Sequence, residues 1–182
     1  NTSLLEISKD FKEDFENEII IGELNGALTE LSKNVVEDCN VKFYDNMSSI
    51  GNLVYQNGLI FILIVAFKKA LNTNVIINHS IDKGIYFETT KKITEEDIKV
   101  VSSKMNEIIK SDMPIEKTLV NRLEAIEYYK KIGEEDKVNI LKYTTNTNIN
   151  LYKLGDMYDY FFSYLPVSTG YMKKFKLTYK DE

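Results

Sequence analysis

Residues Gly155–Gly170 read GDMYDYFFSYLPVSTG. The stretch opens on Gly-Asp, runs through aromatics to Pro166, and leaves through Ser168-Thr169-Gly170. This is the layout of a metal-binding loop, yet it contains neither Cys nor His. The whole chain has one His, His79, and one Cys, Cys39, distant from each other in sequence. Either a metalloenzyme-type fold has lost its metal here, or the likeness is accidental. The function turns on that choice.

Composition sets the bounds. With 182 residues, 43% of them hydrophobic, the chain can bury a core and hold one domain or two small ones. A net charge of −5 opposes unaided nucleic-acid binding, although a local basic patch survives an unfavourable average. One Cys excludes a disulfide framework and fits a reducing compartment. The longest apolar run, Leu59–Phe67 (LIFILIVAF), is far short of the roughly 20 residues that span a bilayer. No charged-then-apolar leader opens the chain. These features predict a cytoplasmic protein with no membrane partner. The chain starts at Asn1 and ends directly after a strand-like run, so it is expected to be a piece of something longer.

Working outward, two blocks emerge. In the first, Ser3 with Glu6 forms a capping-box pattern ahead of Leu4, Ile7 and Phe11 at helical spacing. Ile19–Leu24 reads as a strand, Asn25-Gly26 as a two-residue hairpin turn into Ala27–Leu31, and Val41–Tyr44 as a further strand. A helix flanked by short strands suggests a small β-grasp module whose opening hairpin is missing.

In the second block, Leu53–Leu71 is apolar nearly all round and predicts a buried helix. Strands follow at Val75–Asn78 and Gly84–Glu88. Thr94 with Asp97 caps a helix whose apolar face is Ile98, Val101, Met105, Ile108 and Ile109. Beyond Pro114 come a strand at Ile115–Val120 and a helix capped by Asn121 with Glu124. That helix carries Leu123, Ile126, Tyr129 and Ile132 and stops at Gly133. A short helix at Glu135–Leu141, a polar turn at Thr144–Asn148 and strands at Asn150–Lys153 and Lys174–Tyr179 complete an α+β pattern.

These segments, in this order, resemble the N-terminal half of bacterial threonyl-tRNA synthetases: a TGS module followed by the second additional domain, which edits mischarged tRNA. The likeness rests on Leu24-Asn25-Gly26 with Leu28, Gly84-Ile85-Tyr86-Phe87, Thr94–Asp97, Lys110–Ile115, Arg122–Ala125 and Gly133–Val138. Gly155-Asp156, Ser168-Thr169-Gly170 and Phe175-Lys176-Leu177 complete it. It implies a truncated TGS-like module over residues 1–46 and an editing-like domain over 47–182. In that family the editing site is a His-x-x-x-His helix and a Cys-x-x-x-His loop; side chains four apart on a helix share a face and converge on one ion. Carried onto this chain, the positions are Asn57 and Phe61 on the helix and Phe161 and Leu165 in the loop. Three of the four are apolar, so a metal-free site filled as core is expected.

The same two modules precede the P-loop domain of bacterial uridine kinase-like proteins, which Tyr55-Gln56, Leu59–Ile64, His79-Ser80 and Lys83-Gly84 resemble. No Gly-rich run ending in Gly-Lys-Ser/Thr occurs in this chain, so no P-loop is expected within it. The resemblance implies a non-catalytic regulatory or RNA/ligand-recognition region of a nucleoside kinase. Its ATP- and Mg-dependent domain would follow residue 182 and be its partner. This fragment itself is expected to hold no cofactor. Two alternatives stand beside it: an aminoacyl-tRNA deacylase domain, and a protein-interaction module pairing through the β-grasp sheet edge.

The cleft between the buried helix and the late loop is the expected ligand site, with His79, Tyr55, Asp156, Ser168 and Thr169 as candidate lining. Each also has a plain structural reading. A lone His without a partner is more often structural than catalytic. Asp156 suits a Gly-Asp turn, Cys39 an inert thiol. Tyr158, Tyr160, Phe161 and Phe162 could stack bases, yet aromatics at a seam more often pack. Lys68, Lys69, Lys173, Lys174 and Lys176 form either an RNA patch or a solvated face.

Overall fold

Ser3 starts the chain's first helix: its Oγ accepts the Glu6 amide at 3.1 Å, between β1 (Thr2–Ser3) and α1 (Leu4–Ser8). The computed structural model describes residues 2–81 and 84–180, apart from the side chains of residues 79–81. The helix is shorter than its spacing suggests. It tightens into a 3₁₀ helix at Lys9–Asp14, where no residue is buried and Phe11 stays 42% exposed. Apart from Phe11 that turn is all Lys, Asp and Glu, so no apolar stripe holds it against the core.

Strands β2 (Ile19–Leu24) and β3 (Ala27–Thr29) form the expected hairpin through Asn25 and Gly26, whose φ of 49° and 85° make the left-handed turn that Asn-Gly favours. β4 (Asn34–Val35) pairs with β1, and β5 (Val41–Asp45) with β2, giving a three-stranded sheet β3-β2-β5 beside a two-stranded one. Ile19, Ile20, Ile21 and Phe43 bury its faces.

The long apolar helix is α2 (Ser49–Leu71), capped by Ser48 Oγ accepting the Gly51 amide at 3.0 Å. Ser48 Oγ also donates to the Asp45 carbonyl at 2.7 Å, which seats the helix on the end of β5. A Cβ on Gly51 would lie 1.8 Å from that carbonyl oxygen. By length and composition α2 could cross a membrane. Here Val54, Phe61, Ile62, Val65, Ala66 and Phe67 are buried inside the protein instead.

β6 (Val75–Ile81) and β7 (Gly84–Thr89) pair antiparallel, β6 running longer than its apolar residues suggest. α3 (Glu95–Lys110) has the full capping box from Thr94 and Asp97, and its five expected apolar residues are all buried against α2. β8 (Ile115–Asn121) leads through the Asn121 cap into α4 (Arg122–Ile132), closed by Gly133 at φ 78°. Leu123, expected on the buried face, is 60% exposed: it lies in the first turn, and Ala125, Ile126 and Tyr129 form the packed stripe. α5 (Glu135–Tyr143) follows.

β9 (Asn148–Leu154) then pairs with β8 and, through a turn at Gly155 (φ 62°) and Asp156, with β10 (Met157–Asp159). The Gly-Asp entry of the opening segment is therefore a hairpin turn. The strand expected at Lys174–Tyr179 does not form; those residues have no ladder partner among the described residues. Their alternation still has an effect, because Phe175, Leu177 and Tyr179 pack on the main core. The architecture is α+β, as the order of segments implies: small antiparallel sheets around the α2–α3 pair, with α4 and α5 closing a second core against β9.

Candidate functional site

Helix α2 and the loop after β10 meet where the sequence points. The side-chain amide of Asn57 donates to the Tyr164 carbonyl at 3.2 Å. Phe61 lies against Phe161, ring centroids 5.5 Å apart and tilted by 57°, and Phe161 touches the edge of Tyr152 at 6.1 Å. Leu165 is 1% exposed in the same cluster, and Val65, one turn beyond Phe61, is 2% exposed. A zinc ion needs nitrogen, sulfur or carboxylate donors. Phe61, Phe161, Leu165 and Val65 supply none, and the Asn57 nitrogen is engaged. The residues present do not fit a zinc ion. Among the described residues no group of three His, Cys, Asp or Glu side chains stands close enough to hold one.

Beside this apolar plug lies a polar network that spacing alone did not announce. Asp159, at the end of β10, is 4% exposed. Its Oδ1 accepts Lys137 Nζ at 2.8 Å, the Tyr160 amide at 2.7 Å and the Tyr129 hydroxyl at 3.4 Å. The Lys137 ammonium also lies 5.7 Å from the Phe161 ring centre, so one cation joins network to plug. With Glu134, Ile64, Val75, Ile77 and Met157, the side chains of Tyr129, Lys137 and Asp159 border a cavity of about 190 Å³. Burial, then the charge of Asp159, raises the Glu134 carboxyl above its ordinary value. Burial and the same carboxylate push the Tyr129 hydroxyl far up, so it acts as a donor.

The other candidates do not gather there. Tyr55 exchanges hydrogen bonds with the backbone of Lys174, at 2.7 and 2.9 Å. Thr169 is fully buried and clamps two segments, donating to the Ile108 carbonyl at 2.7 Å and accepting the Met113 amide at 2.9 Å. Ser168 lines an open hollow of about 690 Å³ that also includes Leu5 and Glu18. Asp156 is exposed and paired with Lys69 at 3.1 Å, which holds its carboxyl below the ordinary range. The backbone of His79 lies in β6 and its side chain falls outside the described residues; Lys83 falls outside them altogether. Cys39 is a free, half-buried thiol.

The lysines do not form one patch. Lys68 bonds Asn74 at 2.9 Å and Lys173 pairs with Glu18 at 2.9 Å, while Lys174 and Lys176 are exposed. Sequence reasoning missed Lys137, Glu134 and Tyr129. The only local signal was Glu134 and Lys137 on one side of a short helix start; their meeting with Asp159 is a tertiary event.

An α+β region in which a buried helix and a late loop meet as packed core is the class these features define. No family model matches the chain. Its sequence is similar to proteins named "Threonine--tRNA ligase". That of Carboxydothermus hydrogenoformans is 29% identical over 181 residues, covering 97% of this chain and 28% of the ligase. That of Caldanaerobacter subterraneus subsp. tengcongensis is 30% identical over 180 residues, covering 96% and 28%. That of Rickettsia bellii is 30% identical over 162 residues, covering 87% and 26%. The chain thus spans little more than a quarter of the length of these curated relatives, and the similarity runs through nearly all of it.

Proposed function

We propose that this chain is a tRNA-directed, editing-like region of threonyl-tRNA synthetase type that recognises its ligand without metal-based hydrolysis. The observation that carries the reading is the meeting of Phe61, Phe161 and Leu165 as packed core, in a chain similar over 97% of its length to a threonine–tRNA ligase. A site built for hydrolysis needs a nucleophile or a polarised water beside the scissile ester; these positions offer hydrocarbon. A uridine kinase-like parent draws no support from the relatives named above, which carry the ligase name.

The test uses the whole chain with aminoacylated and bare tRNA. Saturable tRNA binding with amino-acid release no faster than in buffer is expected; failure to bind any tRNA would sink the reading. One observation favours a second reading, deacylation through the polar cavity. There Glu134, with its raised carboxyl, would act as general base, and the Lys137 ammonium would stabilise the developing oxyanion. That reading requires release from seryl-tRNA that Glu134→Gln abolishes.

A further inference from the structure

A hollow of about 310 Å³ lies between the outer part of β9 and residues 160–164, lined in part by Lys117 and Asn146. It is separate from the polar cavity, sharing none of the residues that border that one. Phe162 stands at its mouth, 83% exposed, with its ring edge-on to Tyr160 at 5.0 Å. Neighbouring Phe161 borders the same hollow and packs its ring on Phe61 in the plug. At that exposure Phe162 contributes little to the core and leaves a ring face open to a ligand.

The opposite wall is made of amides. Along the β8–β9 ladder, Tyr152, Asn150 and Asn148 stand across from Lys117, Leu119 and Asn121. The alternation of a strand puts them on one face. The side chains of Asn146, Asn148 and Asn150 are exposed and hydrogen-bond to no described residue. Each therefore presents a free donor pair and a free acceptor. At the inner end, Lys117 Nζ lies 5.1 Å from the Tyr164 ring centre and 5.6 Å from that of Tyr152, and its salt bridge to Glu30 at 3.0 Å fixes it there. Among the described residues, Lys117 is the only charged one bordering the hollow.

An aromatic platform, unpaired amides and a single cation match a nucleobase with its phosphate better than a peptide. Bases stack on exposed rings, and their edges alternate donors and acceptors as amides do. We propose that this hollow takes an unstacked base of single-stranded RNA, with Phe162 as the stacking platform and Asn148 and Asn150 on the base edge. Lys117, held by Glu30 at the inner end, is the cation that lines the hollow. The proposal rests on the tRNA-directed reading above and gives it a contact site. It also accounts for how a chain of net charge −5 meets a polyanion, through stacking and amides more than through charge.

The probe is a fluorescently labelled single-stranded oligoribonucleotide of about ten nucleotides, within the span of known single-strand sites, titrated by anisotropy. Phe162→Ala should weaken binding roughly tenfold, in keeping with the loss of one stacked base. Phe162→Tyr should stay close to the parent chain, and Asn148→Ala with Asn150→Ala should weaken binding without changing the fold. The salt dependence should be shallow, as befits about one phosphate contact. Equal binding by the parent and Phe162→Ala, or equal affinity for the matching duplex, overturns the proposal. So does an absence of oligonucleotide binding, including the case in which Phe162 instead mediates association with a protein. Intact tRNA bound equally by parent and Phe162→Ala removes this site and keeps the functional reading. Loss of all tRNA binding with Phe162-dependent oligonucleotide binding removes that reading alone.

Discussion

The plug around Phe61 and the network around Asp159 share one short segment and solve opposite problems. Residues Phe161 and Leu165 give the plug its loop half; Asp159 and the Tyr160 amide give the network its acceptor and one of its donors. On the plug side the interior is hydrocarbon against hydrocarbon, stabilised by area removed from water and by close contact. On the network side a carboxylate is kept from water and is tolerated because three donors converge on one oxygen. Chemistry that resides in ligands is lost by substitution at a few positions. Polar groups that also hold the fold together are costly to remove one at a time, which gives the network a reason to remain beside a plug without donors.

The comparison breaks most visibly under Phe61→Ala. Removing a fully buried ring should cost about 3–5 kcal/mol in urea unfolding, and Leu165→Ala about 2–5 kcal/mol. A loss under 1 kcal/mol for Phe61→Ala would mean that the junction is not packed as core. Asp159→Ala leaves the Lys137 ammonium and the Tyr129 hydroxyl without their acceptor, and a loss of about 3 kcal/mol is expected. Lys137→Met in the same background should recover part of it, because the stranded charge goes too.

The next effect is smaller and depends on pH. The folded state raises the Glu134 carboxyl above its ordinary 4.5, so it holds a proton that the unfolded chain has already released. Stability should then fall as pH rises from that value through the raised one. Glu134→Gln removes the penalty: the variant should be more stable than the parent at neutral pH and equal to it in acid below about 4.5. A variant less stable at neutral pH would show that Lys137 and Lys68 outweigh burial. Smallest of all, Phe162→Ala should shift unfolding by no more than about 0.5 kcal/mol, since its ring is 83% exposed. Phe161 and Phe162 are neighbours in sequence and differ in burial, the first packed on the core and the second exposed.

How far the sequence leads depends on whether a residue's role is local. The Thr94–Asp97 box, the α3 stripe, the Asn25-Gly26 turn and the Gly133 stop were legible because each is decided within a few residues. The meeting of Phe61 with Phe161 was legible only through resemblance to a family with a helix–loop site. The Asp159 network was hidden: Lys137 and Asp159 lie on different elements, and nothing near either announces the other. The final strand failed for the same reason in reverse. Alternation at Phe175, Leu177 and Tyr179 records which face is buried, and a ladder also needs a free neighbouring edge.

Gly51 bears on how this region can change over time. Its hydrogen occupies the space against the Asp45 carbonyl that any other side chain would need, so the first turn of α2 is wedged on the end of β5. Surface residues on either side of that joint are open to replacement as ligands and partners change. The angle between the β3-β2-β5 sheet and α2 is not, because even a methyl group there would force the two apart. Specificity can be rewritten on the faces of this region, while the frame that spaces those faces is inherited as a unit.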